Sequence, residues 1–102
     1  MIGFKKIKFE WDEGNKTKSW VKHNVSIEEQ EEAFYDEHAM VDNDKLHSKK
    51  EKRYILLGKT KNNKLLYIAF TIRNDKIRPI SARSANRKEV LIYEEAIENT
   101  TI

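Results

Sequence analysis

Three apolar runs separated by two short polar dipeptides constrain the fold of this chain more than any other feature. The runs are rich in β-branched and aromatic residues, which favour strands, and they cover residues 53–58, 65–72 and 77–82. Asn62-Asn63 lies between the first two runs, and Asn74-Asp75 lies between the second and the third. Asn and Asp tolerate the backbone conformations of tight two-residue hairpin turns. The sequence therefore predicts a three-stranded antiparallel meander.

The composition of the three runs also predicts their order in the sheet. The middle run is apolar at consecutive positions, which is typical of a central strand that is buried on both faces. Pro79 lies in the third run and has no backbone N–H to donate to a neighbouring strand. We therefore expect the third strand to lie at an edge or to contain a bulge.

The segments before the meander predict one strand and two helices. Residues 7–11 alternate apolar and charged side chains with period two, which indicates an N-terminal strand. Asp12 is a candidate N-cap for a short helix that ends near His23, where Asn24 can adopt the left-handed conformation. Ser26 and Glu29 have the spacing of a capping box and predict the start of a second helix. Trp11 and Trp20 are expected to anchor the core.

The remaining segments predict a loop and a final helix. Residues 36–50 contain few large apolar side chains and indicate a loop, with a short extended piece at residues 39–41. Asn86 and Glu89 repeat the capping-box spacing, and Val90, Tyr93 and Ile97 follow at helical intervals. The predicted fold is α+β, with an N-terminal strand, two helices, the meander and a C-terminal helix.

Length and composition indicate one domain, residues 1–102, with a single core. The chain contains no cysteine, which fits a reducing compartment and excludes a disulfide framework. No run approaches the roughly 20 apolar residues of a membrane span, so we expect a cytoplasmic protein that has no membrane partner.

Opposite charges are segregated along the chain. Residues 45–88 contain fourteen Lys and Arg but only two acidic residues, Glu51 and Asp75. The acidic residues concentrate between residues 28 and 44 and again between residues 89 and 98. Such a basic half predicts a polyanionic partner, although solvated faces on unrelated elements would give the same pattern.

Several segments, taken in order, resemble one protein family. They are Phe9-Glu10-Trp11-Asp12, Lys22-His23-Asn24-Val25 with the capped segment 26–29, Arg53-Tyr54 leading to Gly58, Ile77 to Arg83, and finally Glu89 with Tyr93. Their order and spacing resemble the BrnT family of type II toxins over residues 9–95.

The resemblance implies a compact fold similar to RelE-type ribonucleases and an activity that cleaves RNA and stops translation. It also implies neutralisation by a BrnA-like antitoxin that has its own DNA-binding domain. Toxin and antitoxin would form a hetero-oligomer that reaches operator DNA only through the antitoxin.

Cleavage of RNA through its 2′-hydroxyl requires a general base, a group that stabilises the charged phosphorane, and an acid for the leaving 5′-oxygen. Arginine suits the second task because its planar fork stays charged and binds phosphate through two hydrogen bonds. Arg53, Arg78 and Arg83 are the candidates, since the first and third strands flank the second. Strict alternation would place Arg78 and Arg83 on opposite faces unless the strand bends, and Arg83 could instead pair with Glu89 or Glu94.

Lys22 and His23 complete the catalytic candidates. An unperturbed histidine titrates near neutral pH and can act as base or acid, although His23 could equally be a cation that stabilises the end of its helix. Lys22 would contact phosphate or serve the same stabilising role. Lys49, Lys50, Lys52 and Arg87 are expected to contact the RNA backbone.

Two further classes of function are open to the same basic residues. A module could bind nucleic acid or an acidic protein without cleaving it, and a structural partner of an acidic protein would need no RNA at all. The three histidines lack matched carboxylate spacing and the three glycines form no phosphate loop, so we expect no metal and no cofactor.

Overall fold

A four-stranded antiparallel sheet forms the centre of the computed structural model, which describes residues 6–100. The strands are β1 (Met40–Asn43), β2 (Tyr54–Lys59), β3 (Leu65–Arg73) and β4 (Lys76–Ser84), in the order β1-β2-β3-β4. The predicted meander is confirmed as β2, β3 and β4, with the predicted two-residue turn at Asn74-Asp75, but the connection between β2 and β3 covers residues 60–64 and is longer than the predicted turn at Asn62-Asn63. Its turns contain Asn63, Asn74 and Asp75 at φ of 63°, 51° and 63°, in the left-handed region that these residue types tolerate.

The fourth strand is not the one that alternation predicted. Residues 7–11 form only an isolated parallel bridge between Phe9 and Ile77, so the predicted N-terminal strand is wrong. Ile77 exchanges two backbone hydrogen bonds with Lys8 and Glu10, both 2.8 Å, but the next outward residue of β4 is Pro79, which has no N–H to continue the ladder. The fourth strand is β1, which overlaps the short extended piece predicted at residues 39–41.

Three α-helices surround the sheet. They are α1 (Lys18–His23), α2 (Ile27–Phe34) and α3 (Arg87–Thr100), and a 3-10 helix covers Lys45–His47. The capping box of α2 is confirmed, and so is the one at α3, where Asn86 and Glu89 each accept the other's backbone N–H. Helix α1 ends at Asn24, at φ of 57°, but begins six residues after Asp12, whose carboxylate instead accepts the N–H of Gly14 in a turn.

The two faces of the sheet have different covers. Helix α2 packs on one face through Ala33 and Phe34, against the buried side chains of Leu56, Leu66, Ile68 and Phe70. Helix α3 packs on the other face through Val90, Tyr93 and Ile97, against Leu57, Leu65 and Tyr67.

Trp20 was expected in the core but is 55% exposed on the short helix α1. This helix is attached to the sheet through its small residue Ser19 instead.

Segments before β1 close the outer edge of β4. Farther along β4 than Ile77, Asn15 donates its side-chain amide to the Pro79 carbonyl at 2.8 Å, and Ser19 Oγ accepts the N–H of Ala82 at 2.7 Å. These bonds satisfy edge groups that would otherwise pair with another chain. They also show that the chain from Phe9 to Ser19 follows β4 in the same direction. Among residues 6–100, no helix is long and apolar enough to cross a membrane.

Candidate functional site

A β-bulge in β4 decides which face of the sheet its arginines occupy. Ala69 pairs with Ser81 but Phe70 pairs with Pro79, so Ile80 has no partner on β3. One extra residue reverses the alternation of side chains beyond it. Arg78 lies opposite Thr71 and Arg83 lies opposite Tyr67, four residues away on the regular strand β3. Both arginines therefore lie on the face that α3 partly covers, which strict alternation would not allow.

Arg53 and Arg78 meet in a small cavity on this face. The cavity has a volume of about 170 Å³, and its basic lining residues are Lys18, Arg53, Arg73 and Arg78. Thr71 forms part of its floor and donates its hydroxyl to the Lys52 carbonyl, which holds the chain just before β2 against β3. The structure thus brings two of the five catalytic candidates together, and adds Lys18 and Arg73.

Two of these arginines are held by carboxylates. Arg78, whose side chain is only 13% exposed, contacts Glu10 at 2.9 Å and Asp12 at 2.8 Å. Arg73 contacts both carboxylate oxygens of Glu51, at 2.7 and 2.9 Å. Hydrogen bonds from Arg78 and from Arg73 lower the pKa of Asp12 and of Glu51 respectively, so these pairs remain charged well into the acidic range.

Arg53 differs from its two neighbours. Within residues 6–100 its guanidinium makes no ion pair, although its backbone is fixed on both sides. Its N–H donates to Ser48 Oγ at 3.0 Å, and its carbonyl accepts the N–H of Asp44 at 2.9 Å. Glu51 also lines the cavity but is bound to Arg73. A half-buried arginine on a fixed backbone that has no carboxylate partner of its own is suited to bind an external anion.

Arg83 does not line the cavity. Its contacts match the alternative role considered for it, an ion pair with a glutamate of α3. Its guanidinium binds Glu89 through two hydrogen bonds, at 2.8 and 2.9 Å, and lies 4.0 Å from the centre of the Tyr67 ring. The hydrogen bond from Arg83 lowers the pKa of Glu89. About a third of the Arg83 side chain, 36%, remains exposed, so the pair is open to solvent on one side.

Lys22 and His23 do not line the arginine cavity. Both are exposed in the last turn of α1. Ser19 of the same short helix bonds to Ala82, next to Arg83, so Lys22 and His23 lie toward the end of β4 that carries Arg83. The cationic candidates thus fall into two groups, the cavity at the start of β4 and a second group at its end.

The residues expected to contact the RNA backbone are exposed. Lys49, Lys50 and Lys52 lie in the segment that leads to Arg53, and Lys52 Nζ is 5.6 Å from the centre of the Tyr54 ring. Arg87 is the first residue of α3. The three lysines thus belong to the chain segment that ends at the cavity residue Arg53.

Lys18 and Arg73 were not among the sequence candidates. Arg73 could have been found, because it follows Thr71 by two residues and therefore shares its face. Lys18 gave no such signal, since its position depends on the contacts of α1 with the edge of β4. Within residues 6–100, no group of three His, Asp or Glu is arranged to hold a metal ion.

The fold and the site together define a class of protein, a small basic α+β domain with a phosphate-sized cationic cavity on one face of its sheet. Residues 11–89 match the family described as the ribonuclease toxin, BrnT, of type II toxin-antitoxin systems. The match covers most of the chain, and the chain belongs to this family. No curated protein is similar enough to match. The resemblance read from the sequence is confirmed.

Proposed function

We propose that this chain is a metal-independent endoribonuclease that acts in the cytoplasm, cleaves RNA to stop translation, and is neutralised by a BrnA-like antitoxin. One observation carries the proposal: within residues 6–100, Arg53 has no carboxylate partner in a cavity that Lys18, Arg73 and Arg78 also line and whose one acidic lining residue, Glu51, is bound to Arg73. Family membership supplies the class of reaction, and the cavity supplies a place where a phosphate fits.

In the proposed reaction the 2′-oxygen attacks the adjacent phosphorus and the 5′-oxygen leaves, giving a 2′,3′-cyclic phosphate and a new 5′-hydroxyl end. Arg53 binds the non-bridging oxygens of the scissile phosphate and stabilises the charge that develops there. Arg73 and Arg78 fix the shape of the cavity, because their carboxylate partners prevent them from turning away. Arginine supplies this stabilisation without a metal ion.

The RNA strand follows β4 from the cavity toward Arg83. The five residues from Arg78 to Arg83 span roughly 15 Å at the usual rise of a strand. Lys49, Lys50 and Lys52 bind the strand on one side of the cavity, and Lys22 and Arg87 bind it on the other. His23 lies in the second group, at the other end of β4, so it can serve as base or acid for a phosphodiester bound there and not for one held by Arg53.

The antitoxin covers this basic face in the proposed complex. A toxin that must be inactive until its partner is lost is most simply blocked where its substrate binds. Contact with operator DNA then belongs to the antitoxin, and the two proteins form a hetero-oligomer.

The test compares Arg53→Ala with Lys76→Ala, which also removes one positive charge but lies at the exposed first position of β4. Growth and cellular RNA are followed after induction, and purified proteins are incubated with RNA in the presence of EDTA. We expect the wild type and Lys76→Ala to arrest growth and cleave RNA, and Arg53→Ala to lose at least a hundredfold in rate.

Binding measurements separate this proposal from a module that only binds RNA. An enzyme loses turnover in Arg53→Ala while most of its RNA affinity remains, since the lysines are intact. Intact RNA in cells that contain folded wild-type protein would contradict the proposal and favour a binding module. Cleavage that EDTA abolishes would contradict metal independence alone. His23→Gln tests where the scissile phosphate lies: both limbs of the pH-rate profile should remain if Arg53 holds that phosphate, and loss of one limb would place the reaction beside His23 instead.

A further inference from the structure

A second concave site lies on the same sheet face as the arginine cavity. It is a groove of about 480 Å³ between β1, β2 and α3, with a floor formed by Ile55, Leu57 and Tyr67. This volume is within the usual range for sites that bind small molecules. Ile92 stands at the groove and is 42% exposed, so an apolar surface is open to solvent there.

The groove contains an aromatic ring that is already fixed in place. Tyr67 lies under the Arg83 guanidinium, 4.0 Å from ring centre to the guanidinium carbon, and Glu89 holds that guanidinium through two hydrogen bonds. The ring therefore loses little conformational freedom when a flat ligand stacks against it. Arg83 acts here as a positioning residue for Tyr67.

The charged residues around the groove nearly cancel, so it offers a neutral group more than a phosphate. Asp42, Lys88 and Glu89 line it, and Glu89 is already paired with Arg83, so no excess of positive charge remains there to attract an anion. Asp42 uses one oxygen to accept the N–H of Asn43 at 2.8 Å, which leaves its second oxygen to accept a hydrogen bond from a ligand. A flat, neutral ring with an amino group fits both the apolar floor and this acceptor.

We infer that the groove is a subsite for one nucleobase of the RNA, with Tyr67 as its stacking platform and Asp42 as its acceptor for an exocyclic amino group. The inference deepens the proposed function and rests on it, because RNA is the source of the base. Tyr67 and Thr71 lie on the same face of β3, four residues or roughly 13 Å apart, so base and scissile phosphate belong to the same short stretch of RNA. Adenine, cytosine and guanine fit the groove better than uracil.

The first test uses uncharged nucleosides, which cannot bind through phosphate. Adenosine, cytidine, guanosine and uridine are added to the full ¹⁵N-labelled chain, and amide shifts are followed. We expect shifts in the groove, around Ile55, Tyr67 and Ile92, weakest for uridine. Tyr67→Leu should weaken binding about 5- to 100-fold, the range of a lost stacking contact, while Tyr67→Phe keeps the ring and the binding. Shifts elsewhere, or equal binding by Tyr67→Leu, would overturn the inference.

A second variant changes an exposed position, so that the test does not depend on whether Tyr67→Leu folds. Ile92→Glu adds a third carboxylate to the groove from a surface position of α3, and we expect it to abolish nucleoside binding without unfolding the chain. Full binding by this variant also contradicts the inference.

The second test maps cleavage positions in a pool of random RNA. We expect wild-type cuts to be enriched beside a base with an amino group, and Asp42→Asn to change that preference. An unchanged distribution of cuts would contradict the base subsite while the ribonuclease proposal stands. If the wild type cuts nothing, the proposed function fails, and nucleoside binding still decides the groove. If a protein segment binds in the groove and nucleosides cause no amide shifts there, the groove belongs to a protein partner instead.

Discussion

Arg53, Arg73, Arg78 and Arg83 carry the same guanidinium group but have different partners. Arg78 and Arg73 bind carboxylates at the cavity, Arg83 binds a carboxylate on α3, and Arg53 binds none within residues 6–100. The sequence identified three of the four as candidates from residue type. It could not rank them, because the carboxylates come from segments up to 68 residues away in the chain.

The Arg83–Glu89 pair gives a pH-dependent contribution to stability. The pKa of Glu89 is lowered in the folded chain, so its contribution is present above the usual pKa of a glutamate and is lost as pH falls through the lowered value. We expect Glu89→Gln to reduce the free energy of unfolding by about 1 kcal/mol at pH 7 and to have a smaller effect near pH 3. Urea unfolding at both pH values measures this difference. An equal loss at both would show that the pair is not the cause.

Gly58 permits the close approach of α2 to the sheet. A Cβ at this position would lie 2.3 Å from the Ala33 carbonyl oxygen and 2.9 Å from Leu56 Cδ2. Gly58→Ala should therefore cost about 1–3 kcal/mol of stability, as overpacked cores do. Gly14→Ala is the matched control, because the new Cβ would meet a side-chain atom of Arg78 at 3.0 Å rather than a backbone atom. Thermal or urea unfolding that ranks Gly14→Ala as the more damaging change would refute this account.

Elements with local signals were predictable and elements that depend on distant contacts were not. The two capping boxes and the asparagine turns involve residues at most three apart, so the sequence alone predicts them. Strand β1 contains only four residues, three of them exposed, and it exists because β2 offers it an edge. The late start of α1 depends on Asp12, which binds Arg78 rather than capping a helix.

The attachment of α1 to β4 depends on one hydroxyl. Ser19→Ala would leave the buried N–H of Ala82 without an acceptor, which costs about 1–3 kcal/mol. We expect lower stability and faster hydrogen exchange at the Ala82 amide, with Ser84→Ala, at an exposed position of the same strand, close to wild type. Unchanged exchange at Ala82 would mean that water or another group replaces the serine.

At the scale of the whole molecule, the net charge of +3 conceals an uneven distribution. The segregation of charge along the chain predicted a basic surface, but part of that charge is neutralised within the fold by Glu10, Asp12, Glu51 and Glu89. The exposed lysines that precede Arg53 have no such partners within residues 6–100. They should therefore dominate the long-range attraction of RNA.

Salt dependence measures how many of these charges RNA meets. On a single strand, log affinity should fall against log salt with a slope of about 0.7 per neutralised phosphate. A triple variant with Lys49, Lys50 and Lys52 changed to Ala should lower the slope by about 2, measured with 2′-O-methyl RNA, which has no 2′-hydroxyl to react. A slope that matches the wild type would remove these lysines from the interface.

The unpaired residue Ile80 has a consequence for how this strand tolerates changes in length. Removing one residue from a regular strand turns the side chains beyond the deletion over to the opposite face. Removing Ile80 would not do so, because Ile80 has no partner on β3 and the pairs of Arg78 with Thr71 and of Arg83 with Tyr67 would stay in register. Arg78 and Arg83 would still share a face, so this strand can lose its bulge residue without separating the two arginines, and relatives that lack the residue can keep the same site.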